Sequence, residues 1–136
     1  MAELKQLKLP AAVRAALVAH AERDAPNECC GLLIGKGNAV TDSHPARNGV
    51  ASRTKFTINP ADHFMAVRKA RAAGLDVVGA YHSHPASPAL PSASDIAEAS
   101  EGAPVMLIVS LLPPEPVVRA FAFEPGGSKE LRIVAG

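Results

Sequence analysis

The chain has 136 residues, of which 48% are hydrophobic, so it carries enough apolar material to fold around a core and is not a disordered chain. Its 14 basic and 13 acidic residues leave a net charge of +1, which gives no reason to expect nucleic acid binding. No apolar run is long enough to span a membrane, and residues 1–8 lack the apolar core of a secretion signal. We therefore expect a cytoplasmic protein that folds as one domain over residues 1–136.

Hydrophobic periodicity, prolines and glycines predict alternating helices and strands. A strand, a helix and another strand in succession predict a crossover unit within one sheet. The predicted elements in chain order are a helix over 10–23, a strand over 29–34, a hairpin turn at 35–38, a return strand over 40–46, a short strand over 56–58, a helix from 59 to about 73, a strand over 76–84, a helix over 92–101, and strands over 105–112, 117–123 and 131–134, the last two joined by a turn at 125–128.

The second predicted helix begins with Asn59 as its cap and Pro60 at the first helical position, and Gly74 ends it. Its apolar spacing predicts that Phe64, Val67 and Ala70 point inward. Two histidines on predicted helices, His20 and His63, are interpreted as helix-face residues without a chemical role.

The most informative stretch is the end of the strand over 76–84. Side chains alternate along a strand, so His82 and His84 lie on one face and can hold the same ion, whereas Ser83 points to the other. Pro85 ends the strand, and Asp95 follows in the first turn of the next predicted helix. Two histidines, one aspartate and an open position are the ligands of a catalytic rather than a structural zinc ion.

Simpler interpretations remain open for each of these residues. The pattern Ser92-x-x-Asp95 is also a capping box, and a His-x-His pair on a strand is often surface decoration. Capping and metal binding are compatible for Asp95, because one oxygen can serve each. Glu28, at the mouth of an apolar strand, is either a solvated loop charge or a base at the edge of the core, and periodicity alone favours the ordinary charge.

The chain has two cysteines, Cys29 and Cys30, which are adjacent and therefore poorly placed to bond to each other. They are too few for a cysteine-rich zinc finger, and we interpret them as reduced core residues. A cysteine hydrolase that pairs one of them with a histidine is a weaker alternative.

At Glu28, His82, His84, Ser92 and Asp95 the chain resembles the JAMM (MPN-plus) metalloprotease family. The signature of that family is an upstream Glu, then His-Ser/Thr-His-Pro, six residues, Ser, two residues and Asp, and this spacing is met here. Two further stretches are similar to the first strand of the family and to the segment before its second helix: Pro26-x-Glu28-x-Cys30-Gly31-Leu32-Leu33 and Phe56-x-Ile58-x-Pro60.

The resemblance implies an α/β fold, a cytidine-deaminase-like three-layer sandwich with a mixed central sheet flanked by helices. It implies a zinc metalloprotease in which His82, His84 and Asp95 bind Zn²⁺, Glu28 is the general base and Ser92 stabilises the oxyanion. The chain looks most similar to small bacterial members that cleave the amide bond after the C-terminal Gly-Gly of a ubiquitin-like or sulfur-carrier protein.

The tail of such a substrate would add as a strand in a groove walled by residues 47–58 and 86–91. A homodimer is compatible with this interpretation. The alternative is a non-catalytic MPN-type protein-binding module on the same scaffold.

Overall fold

The computed structural model describes residues 5–99, 105–124 and 127–136. Within them, helices and strands alternate along much of the chain, as the periodicity predicts. The helices are α1 (Ala11–Asp24), α2 (Pro60–Ala72) and α3 (Ala93–Ala99), and the strands are β1 (Gln6–Leu9), β2 (Cys30–Lys36), β3 (Ala39–Ala46), β4 (Asp76–His84), β5 (Val105–Ser110), β6 (Val117–Glu124) and β7 (Gly127–Ala135).

Most predicted elements are confirmed to within a few residues, with three local differences. The strand predicted over 56–58 is reduced to one bridge between Asn48 and Ile58. The strand predicted to reach residue 112 ends at Ser110, and Gly127 and Ser128 belong to β7 rather than to a turn. The predicted helix end at 100–101 and the first half of the predicted turn, 125–126, lie outside the described residues.

The seven strands form one closed ring in the order β1-β3-β2-β4-β5-β6-β7. The ring is mixed, because β1 pairs in parallel with both β3 and β7 and β4 in parallel with β5, while the other pairs are antiparallel. The predicted mixed α/β fold is therefore confirmed. The cytidine-deaminase-like three-layer sandwich is not confirmed, since strand β1, which was not predicted, joins β3 to β7 and closes the sheet.

Two hydrophobic clusters occupy opposite faces of the strands. The first joins α1, through Val13, Leu17 and Ala21, to residues from all seven strands. The second joins α2, through Ala66, to β2, β4, β5 and β6. Neighbouring residues such as Leu32 and Leu33 belong to different clusters, as strand alternation requires. The alternation is interrupted in β4, where Val78 and Ala80 lie in different clusters because the register with β2 shifts at Val78.

Helix α2 contacts the sheet through part of the predicted face, since Ala70 is buried as predicted and Val67 is half-buried. Ala66 and Ala70 are buried, one helical turn apart, whereas Phe64 is 61% exposed. The guanidinium of Arg68 lies 5.8 Å from the centroid of the Phe64 ring. The inward position of Phe64 is therefore wrong, because the small alanine side chains form the contact face and Phe64 projects from the other side of the helix.

A crossover unit is present, with β3 as its first strand in place of the short strand predicted over 56–58. Strands β3 and β4 each pair antiparallel with β2, one on either side, so they run parallel to each other with α2 as their connection. Within the described ranges, no helix is both long and apolar enough to cross a bilayer. The C-terminal end of β4 carries the histidine pair, and α2 packs near it on the same side of the sheet.

Candidate metal centre

The two histidines at the end of β4 point to the α2 side of the sheet, and both are buried. Their Nε2 atoms are 3.2 Å apart. The intervening Ser83 faces the opposite side, where its Oγ accepts a hydrogen bond from the backbone N–H of Cys29 at 2.8 Å. The predicted alternation is therefore confirmed. Burial to 0% exposure for His82 and 4% for His84 also excludes surface decoration.

Asp95 closes the arrangement from the start of α3. Its Oδ1 lies 3.1 Å from His82 Nε2, and its Oδ2 lies 3.1 Å from His84 Nε2. The same residue completes a capping box, because Ser92 N–H donates to Asp95 Oδ2 at 2.9 Å and Asp95 N–H donates to Ser92 Oγ at 3.0 Å. The capping box is therefore present, and it orients the carboxylate toward the two imidazoles, so capping is compatible with the metal binding that the sequence predicts.

The spacing of the three side chains is compatible with a tetrahedral zinc ion. Zn–N bonds of about 2.0–2.1 Å at tetrahedral angles separate neighbouring ligand atoms by about 3.3 Å. The two imidazole Nε2 atoms are 3.2 Å apart, and each lies 3.1 Å from a different carboxylate oxygen of Asp95. One ligand atom from each of His82, His84 and Asp95 lies within 4.8 Å of the others. Two nitrogens and one carboxylate oxygen are also a donor set that zinc accepts.

The far nitrogens of both rings are occupied by acceptors, which leaves Nε2 to face the site. His84 Nδ1–H donates to the carbonyl of Pro88 at 2.8 Å, and a carbonyl can only accept. His82 Nδ1 lies 3.3 Å from Met106 Sδ, a weak acceptor. Hydrogen bonds of this kind hold metal-binding histidines in the correct tautomer and orientation. The contacts of Met106 and Pro88 were not foreseen, because they depend on which strands and loops become neighbours.

The electrostatics favour an ionised carboxylate at the centre. Burial alone would raise the pKa of Asp95, but hydrogen bonds from His82 and His84 outweigh it and hold that pKa well below its usual range. Burial alone would lower the pKa of His84, but its hydrogen bond to Asp95 and the charge of Glu28 shift it upward instead. The Asp95 carboxylate is therefore ionised at neutral pH, and Glu28 is close enough to His84 to affect the pKa of that imidazole.

Glu28 lies beside the histidine pair because of strand register. Cys30 of β2 pairs with His82, and the neighbouring bonds between Cys29 and Ser83 continue this pairing. Two residues further back, the same register sets Glu28 opposite His84, on the face that carries both imidazoles. Glu28 is 4% exposed. A solvated loop charge, the interpretation that periodicity favours, is therefore wrong.

Ser92 and Phe56 border the histidines and Asp95. Ser92 is exposed, and because its Oγ accepts from Asp95 its own O–H can still donate to another group. The ring of Phe56 stacks on His82, with centroids 4.3 Å apart and planes inclined by 18°. Nothing in the local sequence predicts this stacking, since the short strand assigned to 56–58 could have placed Phe56 on either face.

The two cysteines are not activated nucleophiles. Both are fully buried, and burial raises the pKa of Cys29 to about 11 and that of Cys30 to about 12. A thiol protonated at neutral pH is a poor nucleophile, because the thiolate is the reactive form. The interpretation of both as reduced core residues is consistent with these environments, and the cysteine hydrolase loses its support.

His20 and His63 have different environments. His63 is exposed in the first turn of α2. His20 is buried on the α1 side, where its Nδ1 lies 2.7 Å from the hydroxyl of Tyr81 and its Nε2 lies 3.2 Å from Asp24. Neither residue contacts the metal-ligand cluster. The buried pair of His20 and Tyr81 was missed, because it joins a helix to a strand 61 residues later.

Comparison with known proteins identifies several relatives. The family model for prokaryotic homologs of the JAB domain matches residues 10–124, which include all five predicted site residues. The desampylase of Haloferax volcanii is 38% identical over 112 residues, covering 77% of this chain and 81% of that protein. The CysO-cysteine peptidase of Mycobacterium tuberculosis is 36% identical over 101 residues, covering 73% and 69%. The solution structure of protein DSY2949 from Desulfitobacterium hafniense superposes with a TM-score of 0.88 at 34% identity, covering 96% of this chain and 93% of that one.

Proposed function

The chain belongs to the prokaryotic JAB-domain branch of the JAMM/MPN family, and on that premise we propose that it is a zinc-dependent peptidase of a single domain, residues 1–136. Its proposed reaction is hydrolysis of the amide bond after the C-terminal Gly-Gly of a ubiquitin-like or sulfur-carrier protein. The observation that carries the proposal is the buried triangle of His82, His84 and Asp95, whose spacing and donor set fit zinc.

Each residue has a distinct part in the proposed hydrolysis. His82, His84 and Asp95 would hold a zinc ion, which would supply the Lewis acidity that makes water a nucleophile near neutral pH. Glu28, on the same face as the imidazoles, takes a proton from the attacking water and passes it to the leaving amine. Ser92, whose O–H remains available, donates a hydrogen bond to the oxyanion. The resulting products are a free carboxylate and a free amine.

The substrate class rests on the relatives. Two of them are named as a desampylase and a CysO-cysteine peptidase, which supports a peptidase acting on conjugates of ubiquitin-like or sulfur-carrier proteins. The finer preference for a Gly-Gly tail would need a narrow groove beside the site, with residues 47–58 as one candidate wall. Phe56, from that segment, already lies against His82, so a tail bound along it would pass close to the proposed zinc ion.

The proposal is tested by incubating zinc-loaded protein with sulfur-carrier and ubiquitin-like C-terminal conjugates and measuring the products by intact mass. We expect cleavage directly after Gly-Gly that stops with EDTA and returns with zinc. Failure on every conjugate by a zinc-loaded, folded protein would favour the non-catalytic MPN-type module. Activity that resists EDTA would remove the metal from the mechanism.

Replacement of the proposed base gives a sharper test. Glu28→Gln keeps the size of the side chain but cannot take the proton, so we expect normal zinc content and a turnover reduced by about 10²–10⁴-fold. Zinc content is measured by elemental analysis and turnover with the best conjugate. A near-normal rate would remove Glu28 from the mechanism.

A further inference from the structure

Asn48 has a side chain whose hydrogen-bonding positions are all occupied by backbone groups. Its Nδ2 donates to the carbonyl of Glu28 at 3.1 Å and to that of Lys55 at 3.0 Å. Its Oδ1 accepts from Val50 N–H at 3.1 Å and from Thr57 N–H at 3.0 Å. An asparagine amide has two donor hydrogens and two acceptor lone pairs, so these four bonds complete its capacity. One side chain therefore ties both ends of the 48–57 loop to the backbone of Glu28.

Strand register explains why a side chain is needed there. Cys30 pairs with Ala46, so continued pairing of β2 with β3 would set Glu28 opposite Asn48. The backbone of Asn48 instead bridges to Ile58, which draws it away from β2. The amide of Asn48 reaches the carbonyl of Glu28 in place of the missing ladder bond. The N–H of Glu28 is bound separately, to the carbonyl of Ser52 at 2.7 Å.

The same loop also contacts a proposed metal ligand. Phe56, between the two ends of the loop, stacks on His82. The loop closed by Asn48 thus contacts Glu28 on one side and an imidazole on the other. The conformation of this loop therefore affects the separation between Glu28 and His82, and proton transfer by the proposed base depends on that separation.

We infer that Asn48 is a positioning residue for the proposed hydrolysis: it holds Glu28 at the distance from the metal centre that proton transfer requires. The inference rests on the proposed function, since it acts through Glu28 as the base. Catalytic groups displaced by about 1 Å lose about 10²-fold in rate. Asn48 is half-buried and Val50 and Lys55 are exposed, so water can replace the bonds within the loop after substitution. The effect should therefore fall on turnover more than on stability.

Asn48→Ala tests this directly, with Asn38→Ala as the matched control. Asn38 is also half-buried, and its Nδ2 donates to the carbonyl of Gln6. It lies in the turn between β2 and β3, at the opposite end of β2 from Glu28. We expect Asn48→Ala to lower kcat by about 10- to 100-fold, with KM within about threefold and zinc content unchanged. Asn38→Ala should keep the normal kcat. A normal kcat for Asn48→Ala, in a protein whose Glu28→Gln variant is inactive, would overturn the inference while leaving the proposed function intact.

A double-mutant cycle separates positioning from a general structural role. If Asn48 acts through Glu28, adding Asn48→Ala to Glu28→Gln should change the residual kcat by no more than about twofold. An undiminished effect in that background would overturn the inference. If Glu28→Gln itself is nearly normal, the proposed function fails instead, and the two failures are thereby distinguished.

Amide hydrogen exchange of the unmodified protein keeps the inference testable if Asn48→Ala does not fold. The Val50 and Thr57 amides donate to Asn48, whose amide binds the Glu28 carbonyl, and the Glu28 amide donates to Ser52 in the same loop. These three amides should therefore open together, with similar protection. Exchange of Val50 and Thr57 more than about 100-fold faster than that of Glu28 would show that the loop opens without releasing Glu28, and would overturn the inference.

Discussion

Asp95 both caps α3 and faces the two imidazoles, and replacement by Asn or by Ala should separate these contributions. Asn retains a side-chain oxygen that can accept from Ser92 N–H but carries no charge, whereas Ala removes the cap as well. Loss of a helix cap costs about 1 kcal/mol. The unfolding entropy of a chain of this length is about 0.3 kcal/mol per degree, so the cap is worth about 3 to 4 °C in Tm.

The comparison is made on metal-free protein at pH 7. The folded-state pKa of Asp95 is lowered from its ordinary 3.8, so its carboxylate contributes stability above that value and loses it as the pH falls. At pH 7 this contribution is fully present in the unmodified protein and absent from both variants. The difference between Asp95→Asn and Asp95→Ala therefore reports the cap, and thermal unfolding followed by circular dichroism should show the Ala variant melting about 3 to 4 °C lower.

Zinc binding should respond differently from stability. Both variants lack the charged ligand, so both should bind zinc at least about 100-fold more weakly than the unmodified protein. Competition with a fluorescent chelator measures the affinity, and elemental analysis measures the occupancy. Retention of stoichiometric zinc by either variant would refute Asp95 as a ligand. Equal Tm values for the Asn and Ala variants would refute the stabilising cap while leaving the ligand assignment untouched.

Two further predictions concern the packing behind the histidine pair. A Cβ added at Gly31 would overlap the ring of Tyr81, which is 1% exposed. Gly31→Ala should therefore lower the free energy of unfolding by about 1–3 kcal/mol or more. An unchanged urea midpoint would contradict this packing. Tyr81→Phe removes the hydroxyl bound to His20 Nδ1 and should lower the free energy of unfolding by about 1–3 kcal/mol. Zinc content should stay normal, because Tyr81 faces away from the proposed metal ligands. Loss of zinc would show that the two faces of β4 are coupled.

The local parts of the site could be predicted because they depend on short-range periodicity. The two-residue alternation of a strand brings His82 and His84 to one face, and the three-residue spacing of a capping box orients Asp95 toward Ser92. Each relation is complete within one element, so no knowledge of the fold is needed. The approach of Asp95 to the two histidines cannot be predicted in this way. It depends on the path of the loop between β4 and α3, and the length of that loop does not determine its path.

Strand β1 was missed although its sequence carries the right signal. Leu7 and Leu9 are buried, and Lys8 between them is exposed, which is the alternation of a half-buried strand. Four residues are too few to distinguish this pattern from chance, and both partners of β1 are remote, since Leu7 pairs with Ile133. The closure of the sheet follows from this remote pairing, which the local sequence does not indicate.

Glu28 shows the limit of periodicity most clearly. A single acidic residue before an apolar strand has the same local pattern whether it is solvated or buried. Its environment is decided by the two neighbours of β2, because Cys30 pairs with Ala46 on one side and with His82 on the other. Extended by two residues, the first pairing leads to Asn48 and the second to His84. Glu28 thus lies between Asn48, which binds its carbonyl, and His84, a proposed metal ligand. Both neighbours follow from the register of the sheet and not from the residues next to Glu28 in the sequence.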